Sequence, residues 1–137
     1  MKYVFENKEY DLPFQYYNPN PFDNNTNDCV IRSICGVTDK KWDDVLIELT
    51  TYALKYKLMV NDPDLYEQYF KDNGWKKHNK PIDKDGDEYI VYQWIEHYKG
   101  IAIVHLGDDH MAIVKNGTLY DTWCTLGEIV GEYWTKD

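Results

Sequence analysis

Two residues among the cysteines and histidines of this 137-residue sequence have neighbours suited to chemistry, Cys29 and His110. Cys29 follows the polar pair Asn27-Asp28 and opens an apolar run, Val30-Ile31-Arg32-Ser33-Ile34-Cys35. It therefore sits at the predicted start of a helix, with Asp28 or Asn27 as N-cap. Unpaired N–H groups and the helix dipole favour a thiolate there. His110 opens an alternating stretch that runs to Lys115. Asn116-Gly117 then forms a two-residue hairpin signal, and a second alternating stretch runs from Thr118 to Trp123. That turn pairs Lys115 with Thr118, Val114 with Leu119, Ala112 with Asp121 and His110 with Trp123. His110, Ala112, Val114, Leu119, Asp121 and Trp123 then share one face. Asp121 is a diagonal neighbour of His110 and accepts a hydrogen bond from one imidazole nitrogen, leaving the other as a base. Trp123 shields that bond from water. Nucleophile, base and orienting carboxylate are thus all supplied, by Cys29, His110 and Asp121.

The remaining candidates read as structural. Cys35 shares an apolar stripe with Ile31 and Ile34 and belongs to the core, and Cys124 has no partner at ligand spacing. His105 lies within an apolar run, as a core or edge residue, while His78 and His97 face solvent. No Cys-x-x-Cys or His-x-x-x-His spacing supports a metal site, and none is expected. Asp83-Lys84-Asp85-Gly86-Asp87 has a calcium-loop flavour, but its Gly comes early and no Glu closes it, so it reads as a turn.

The elements that must position these residues follow from hydrophobic period and turn chemistry. Residues 2–12 read as a small hairpin and residues 13–28, rich in Pro, Asn and Asp, as a long loop of the kind that serves a site. The helix begun by Cys29 stops at Gly36, and Thr38 caps a second helix with Trp42, Val45, Leu46, Leu49, Ala53 and Tyr56 on one face. Asp62-Pro63 opens a third, which buries Leu65, Tyr66, Tyr69 and Phe70 and stops at Gly74. A polar, basic loop spans residues 76–87, and a fourth helix carries Ile90, Val91, Trp94, Ile95 and Tyr98 and ends at Gly100. Ile101 to Leu106 is a continuous apolar run, the mark of a central strand, and residues 129–135 make a last strand. Helices followed by strands give an α+β domain, N-terminal helices packed on a C-terminal antiparallel sheet, as a single domain over residues 1–137.

Composition narrows the functional classes. Aromatic residues make up 16% of the chain, too many for a disordered one. The formal net charge of −9 opposes binding to nucleic-acid phosphates or an anionic membrane surface. No apolar run approaches membrane-helix length and no leader pattern opens the chain, so the expected location is the cytoplasm, with free thiols.

Cys at a helix start, His opening a strand, and Asp121-Thr122-Trp123 on the next strand resemble the papain-like cysteine peptidases. That family's third catalytic member is Asn or Asp, followed two residues later by a shielding Trp. Asn20-Pro21, Asp28-Cys29-Val30-Ile31-Arg32, Gly74-Trp75, His110-Met111-Ala112, Tyr120-Asp121-Thr122-Trp123 and Tyr133-Trp134 also resemble a group of small proteins of phages and prophages of Gram-positive bacteria, over most of the chain. The resemblance implies a papain-like fold and a cysteine-dependent hydrolase, a peptidase or isopeptidase. Cys29 is then the nucleophile, His110 the general base and acid, and Asp121 the orienter, with no cofactor and with a peptide or protein as substrate. Where that family commonly places a Gln oxyanion donor, six residues before the Cys, this sequence has Asp23. Asn24 or Asn25 supplies the amide instead, beside the Cys29 N–H. The alternative is a non-catalytic acidic protein that binds and inhibits a host or defence protein, by DNA mimicry among other routes.

Overall fold

The computed structural model describes residues 1–136. The chain opens with an isolated hairpin of β1 (Lys2–Phe5) and β2 (Lys8–Asp11), turned through Glu6 and Asn7 in the left-handed region. After β3 (Phe14–Tyr16) come three helices, α1 (Cys29–Thr38), α2 (Trp42–Tyr56) and α3 (Pro63–Asp72). Then follow β4 (Lys76–His78), a single-turn helix α4 (Val91–Trp94), β5 (Ile101–Leu106), β6 (His110–Lys115), β7 (Thr118–Asp121) and β8 (Val130–Thr135). The main sheet has six strands in the order β3-β7-β6-β5-β8-β4. The class is mixed α+β.

The sheet is covered on both faces, which explains the unbroken apolar character of β5. Ile103, Met111, Ile113 and Trp134 pack with Val30, Ile31, Ile34, Val45, Leu49, Leu65 and Phe70 of α1, α2 and α3. Ala102, Val104, Leu106, Ala112, Val114 and Leu119 face the other way, toward Phe14, Val91, Trp94 and Ile95. Alternate residues of one strand thus serve two cores.

Five sequence expectations are corrected. The sheet is mixed rather than antiparallel, because β3 lies inside the expected loop 13–28 and pairs in parallel with β7, Phe14 with Leu119 and Tyr16 with Asp121. A three-residue strand beside Pro13 shows no period of its own, and only its partner defines it. The expected loop 76–87 begins with β4, an edge strand antiparallel to β8 whose exposed Lys76 and Lys77 blunt the edge. Helix α1 does not stop at Gly36 but runs on to Thr38, with Asp39 closing it at φ 61°. Gly36 is there for contact, since a Cβ at this position would lie 2.2 Å from Ile113 Cδ1. Thr38 does not cap α2: its hydroxyl donates back to the Ile34 carbonyl at 2.6 Å, and Lys41 is the N-cap. The fourth helix is one turn long, because Glu96 and His97 bond three residues back in tighter turns.

The hairpin turn at Asn116-Gly117 has the register read from sequence for its first pairs, Lys115 with Thr118 and Val114 with Leu119. The ladder then reaches Ile113 with Tyr120 and goes no further, so His110 is paired with Leu106 of β5 and not with Trp123. Asp121 ends β7 because its own Oδ1 accepts the Thr122 N–H at 2.8 Å, which turns the chain away.

Candidate active site

Cys29 is the first residue of α1. Asp28 occupies the N-cap position, but its side chain makes no cap hydrogen bond. Instead it accepts the Trp42 Nε1–H at 2.9 Å and lies 3.3 Å from Arg32 Nε. No acidic side chain lies in the first turn of α1. The positive end of the helix is therefore left to the Cys29 region, an arrangement that favours an anion there.

His110 and Asp121 are brought together. His110 Nε2 donates to Asp121 Oδ2 across 2.6 Å, and the Asp121 side chain is only 1% exposed. The same oxygen accepts the Thr125 hydroxyl at 2.8 Å. Oδ1 takes the Thr122 N–H and lies 3.9 Å from Arg32 Nη2. With Nε2 engaged, Nδ1 is the nitrogen left to act on a thiol. Burial works to lower the His110 pKa, but the hydrogen bond to Asp121 and the nearby Cys29 thiol together raise it, to about 9. Cys29 is thus the second group, after Asp121, that raises the His110 pKa.

Trp123 stands beside the imidazole, ring centroids 5.8 Å apart, yet it is 52% exposed. It shields one side of the ring rather than sealing the Asp121 bond, whose protection comes from Thr125, Thr122 and Arg32. Arg32 is itself buried, and its Nη1 donates to Thr122 Oγ1 at 3.1 Å. A line of alternating charge, Asp28, Arg32, Asp121 and His110, therefore runs behind the site. Arg32 was hidden in sequence by its place in an apolar helical run. The one available signal was a charge at the spacing of the core stripe.

A cleft of about 290 Å³ opens over Cys29, walled by Asn27, Tyr66, His105, Asp108, Asp109 and Met111, among others. The sequence-derived oxyanion amides lie elsewhere. Asn24 and Asn25 sit in an exposed stretch that folds on itself, with Asn18 Nδ2 donating to the Asn24 carbonyl at 3.0 Å and Tyr16 donating to Asp23 at 2.7 Å. Asn27 and Asn61 are the amides in the cleft wall, and Asn61 Nδ2 donates to the Asn27 carbonyl at 3.2 Å. Asn61 comes from the α2–α3 connection, which nothing in the local pattern associates with Cys29. Comparison with protein-family models, curated proteins and solved structures finds no match.

The other candidates are also placed. Cys35 is buried, and burial followed by the Asp28 charge pushes its thiol up to about 12, which keeps it protonated and inert. Cys124 is exposed. His105 lines the cleft, half-buried. His78 does not simply face solvent: it stacks on Tyr133 at 4.6 Å and bonds Thr135 Oγ1 at 2.7 Å, because β4 pairs with β8. The Asp83 turn uses its carboxylate on the backbone, accepting the Asp85 and Asp87 N–H groups. Among the described residues no group of three His, Cys, Asp or Glu side chains converges on a metal position, and no helix is long and apolar enough to cross a membrane.

Proposed function

We propose that this chain is a cysteine-dependent hydrolase of papain-like type, acting on the amide carbonyl of a peptide or isopeptide. The observation that carries the reading is His110, held through Nε2 by a buried carboxylate and raised in pKa by both Asp121 and the Cys29 thiol. An imidazolium beside a thiol at a helix start favours the thiolate. The thiolate of Cys29 attacks the carbonyl carbon, and the carbonyl electrons move to oxygen. When they return, the C–N bond breaks and His110 gives its proton to the leaving amine. Water then attacks the thioester and His110 takes its proton; the C–S bond breaks, releasing the acid product and restoring the Cys29 thiolate beside the imidazolium. Asp121 orients the ring throughout, and the Cys29 backbone N–H at the open helix end supports the oxyanion. The resemblance to small phage and prophage proteins makes a phage-encoded enzyme acting in a host cytoplasm the natural setting.

Alkylation by iodoacetamide at pH 7, with each labelled peptide mapped, tests the nucleophile. Cys29 should react faster than the exposed Cys124, and His110→Ala should remove the excess. A mixed peptide library should gain new amino termini with the native protein and none with Cys29→Ser. A Cys29 that labels no faster than Cys124, with the library unprocessed, would overturn the reading.

A further inference from the structure

Behind the site the charges alternate in contact: buried Asp28 and Asp121 are acidic, buried Arg32 and the half-buried, protonated His110 are basic, and these four balance before the Cys29 thiolate is counted. The fixed charge left over in the cleft comes from its front wall, where Asp108 and Asp109 stand side by side in the turn between β5 and β6. Both are exposed, and neither makes an ion pair or a side-chain hydrogen bond with another described residue. Among the described residues no Lys or Arg lines the cleft, and besides the Cys29 thiol its remaining walls are amide, aromatic, imidazole, thioether and aliphatic groups. Gly107 opens the turn at φ 56°, and the Glu128 carboxylate stands near it, a further negative charge on the same corner. Leu106 and His110 pair directly across it, so the two carboxylates are held next to the general base. A cleft with one sign of uncompensated charge and low-dielectric walls concentrates ligands of the opposite sign.

We infer that the cleft selects substrates carrying a cationic group, a lysine or arginine side chain or a free amine, next to the carbonyl that Cys29 attacks, with Asp108 and Asp109 as the specificity determinants. This rests on the reading of Cys29 as nucleophile. A carboxylate pair at the wall stabilises a bound cation without touching the reacting atoms, so it acts on substrate choice more than on the chemical step. The apolar walls from Met111, Tyr66 and Pro63 accommodate the methylenes of a long basic side chain.

Three methanethiosulfonates test the charge selection: the small neutral methyl reagent and two charged ones of comparable size, 2-(trimethylammonio)ethyl and 2-sulfonatoethyl. Each thiolate attacks the reagent's sulfenyl sulfur, forms a mixed disulfide and releases methanesulfinate. Cys124 reports the effect of the molecule's overall negative charge on the same sample. At low ionic strength the cationic-to-anionic rate ratio at Cys29 should exceed that at Cys124 by roughly 5- to 20-fold. Salt at about 0.5 M should collapse the excess, and Asp108→Asn with Asp109→Asn should remove it. Equal ratios at the two cysteines, or an excess that survives the double substitution, would overturn the inference. The neutral reagent reads the nucleophile separately. If it modifies Cys29 no faster than Cys124 while the charge ratio persists, the hydrolase reading fails and the charge selection of the cleft stands.

Discussion

His110 and Asp121 meet just past the end of their hairpin ladder, with Nε2 of the imidazole 2.6 Å from Oδ2 of the carboxylate. The last regular pair is Ile113 with Tyr120, so the contact is made by two side chains reaching across strand ends rather than by registered neighbours. This leaves Asp121 free to turn the chain with Oδ1 while holding the imidazole with Oδ2. One carboxylate both ends the strand and holds the imidazole by Nε2.

Asp121→Asn exchanges an ionic acceptor for a neutral amide in the same volume. The hydrolysis rate should fall by about 100-fold or more. His110 is held near 9, so the native rate should decline as pH rises through about 9, where the imidazolium loses its proton. In the Asn variant that alkaline limb should move to lower pH, because the largest raising influence is gone. A pH–rate profile with the limb unmoved would contradict this role for Asp121.

The same proton is linked to stability. The folded pKa of His110, about 9, lies above its ordinary value of 6.5. The contribution is therefore fully present below pH 6.5, is lost as pH rises toward 9, and is absent above. Thermal melts of the native chain and His110→Gln should differ most near pH 6 and converge by about pH 10. A gap that widens with pH would reverse the sign.

Arg32 lies between two buried carboxylates, Asp28 and Asp121. Arg32→Met keeps the stem but removes the only charged partner of buried Asp28 among the described residues, leaving it the Trp42 N–H, while Asp121 keeps His110, Thr122 and Thr125. Urea unfolding should show a loss of about 3–5 kcal/mol. The double change Asp28→Asn, Arg32→Met should recover part of it, since the unpaired buried carboxylate is then gone while Asp121 keeps His110. A loss below about 1 kcal/mol in the single variant would mean that water already screens the pair.

Gly36 is a glycine inside a helix, where Ala ordinarily gains about 1 kcal/mol. Here the new methyl would meet Ile113 Cδ1 at 2.2 Å and Tyr17 Cε2 at 3.1 Å in a filled core. Overpacking of this kind costs about 1–3 kcal/mol, so Gly36→Ala should be destabilising on balance. Ile113→Val removes the clashing Cδ1, and the double variant should regain most of the loss. If the effects simply add, α1 and β6 are not in the contact described.

Much of the site was legible because its parts are local. Asn116-Gly117 sets the hairpin, the hairpin brings His110 near Asp121, and Asn27-Asp28 before an apolar run places Cys29 at a helix start. The reading went astray where a residue's role depends on a distant segment. Asp28 looks like a cap, but Trp42 and Arg32 claim its oxygens. Asn24 and Asn25 look well placed in sequence, but their loop bonds to itself.

By itself, then, the amino-acid sequence determined the three longer helices, the β1–β2 hairpin, strands β5 to β8 and the turn that pairs β6 with β7, and it singled out Cys29, His110 and Asp121. Period, turn chemistry and side-chain chemistry are properties of short windows. Only the tertiary structure decided that β3 joins the sheet in parallel, that Arg32 reaches Thr122 ninety residues away, and that Asn61, Asp108 and Asp109 wall the cleft over Cys29. Those relations come from burying two faces of one sheet at once. The packing that excludes water from both cores leaves Arg32 nowhere to go but between two carboxylates.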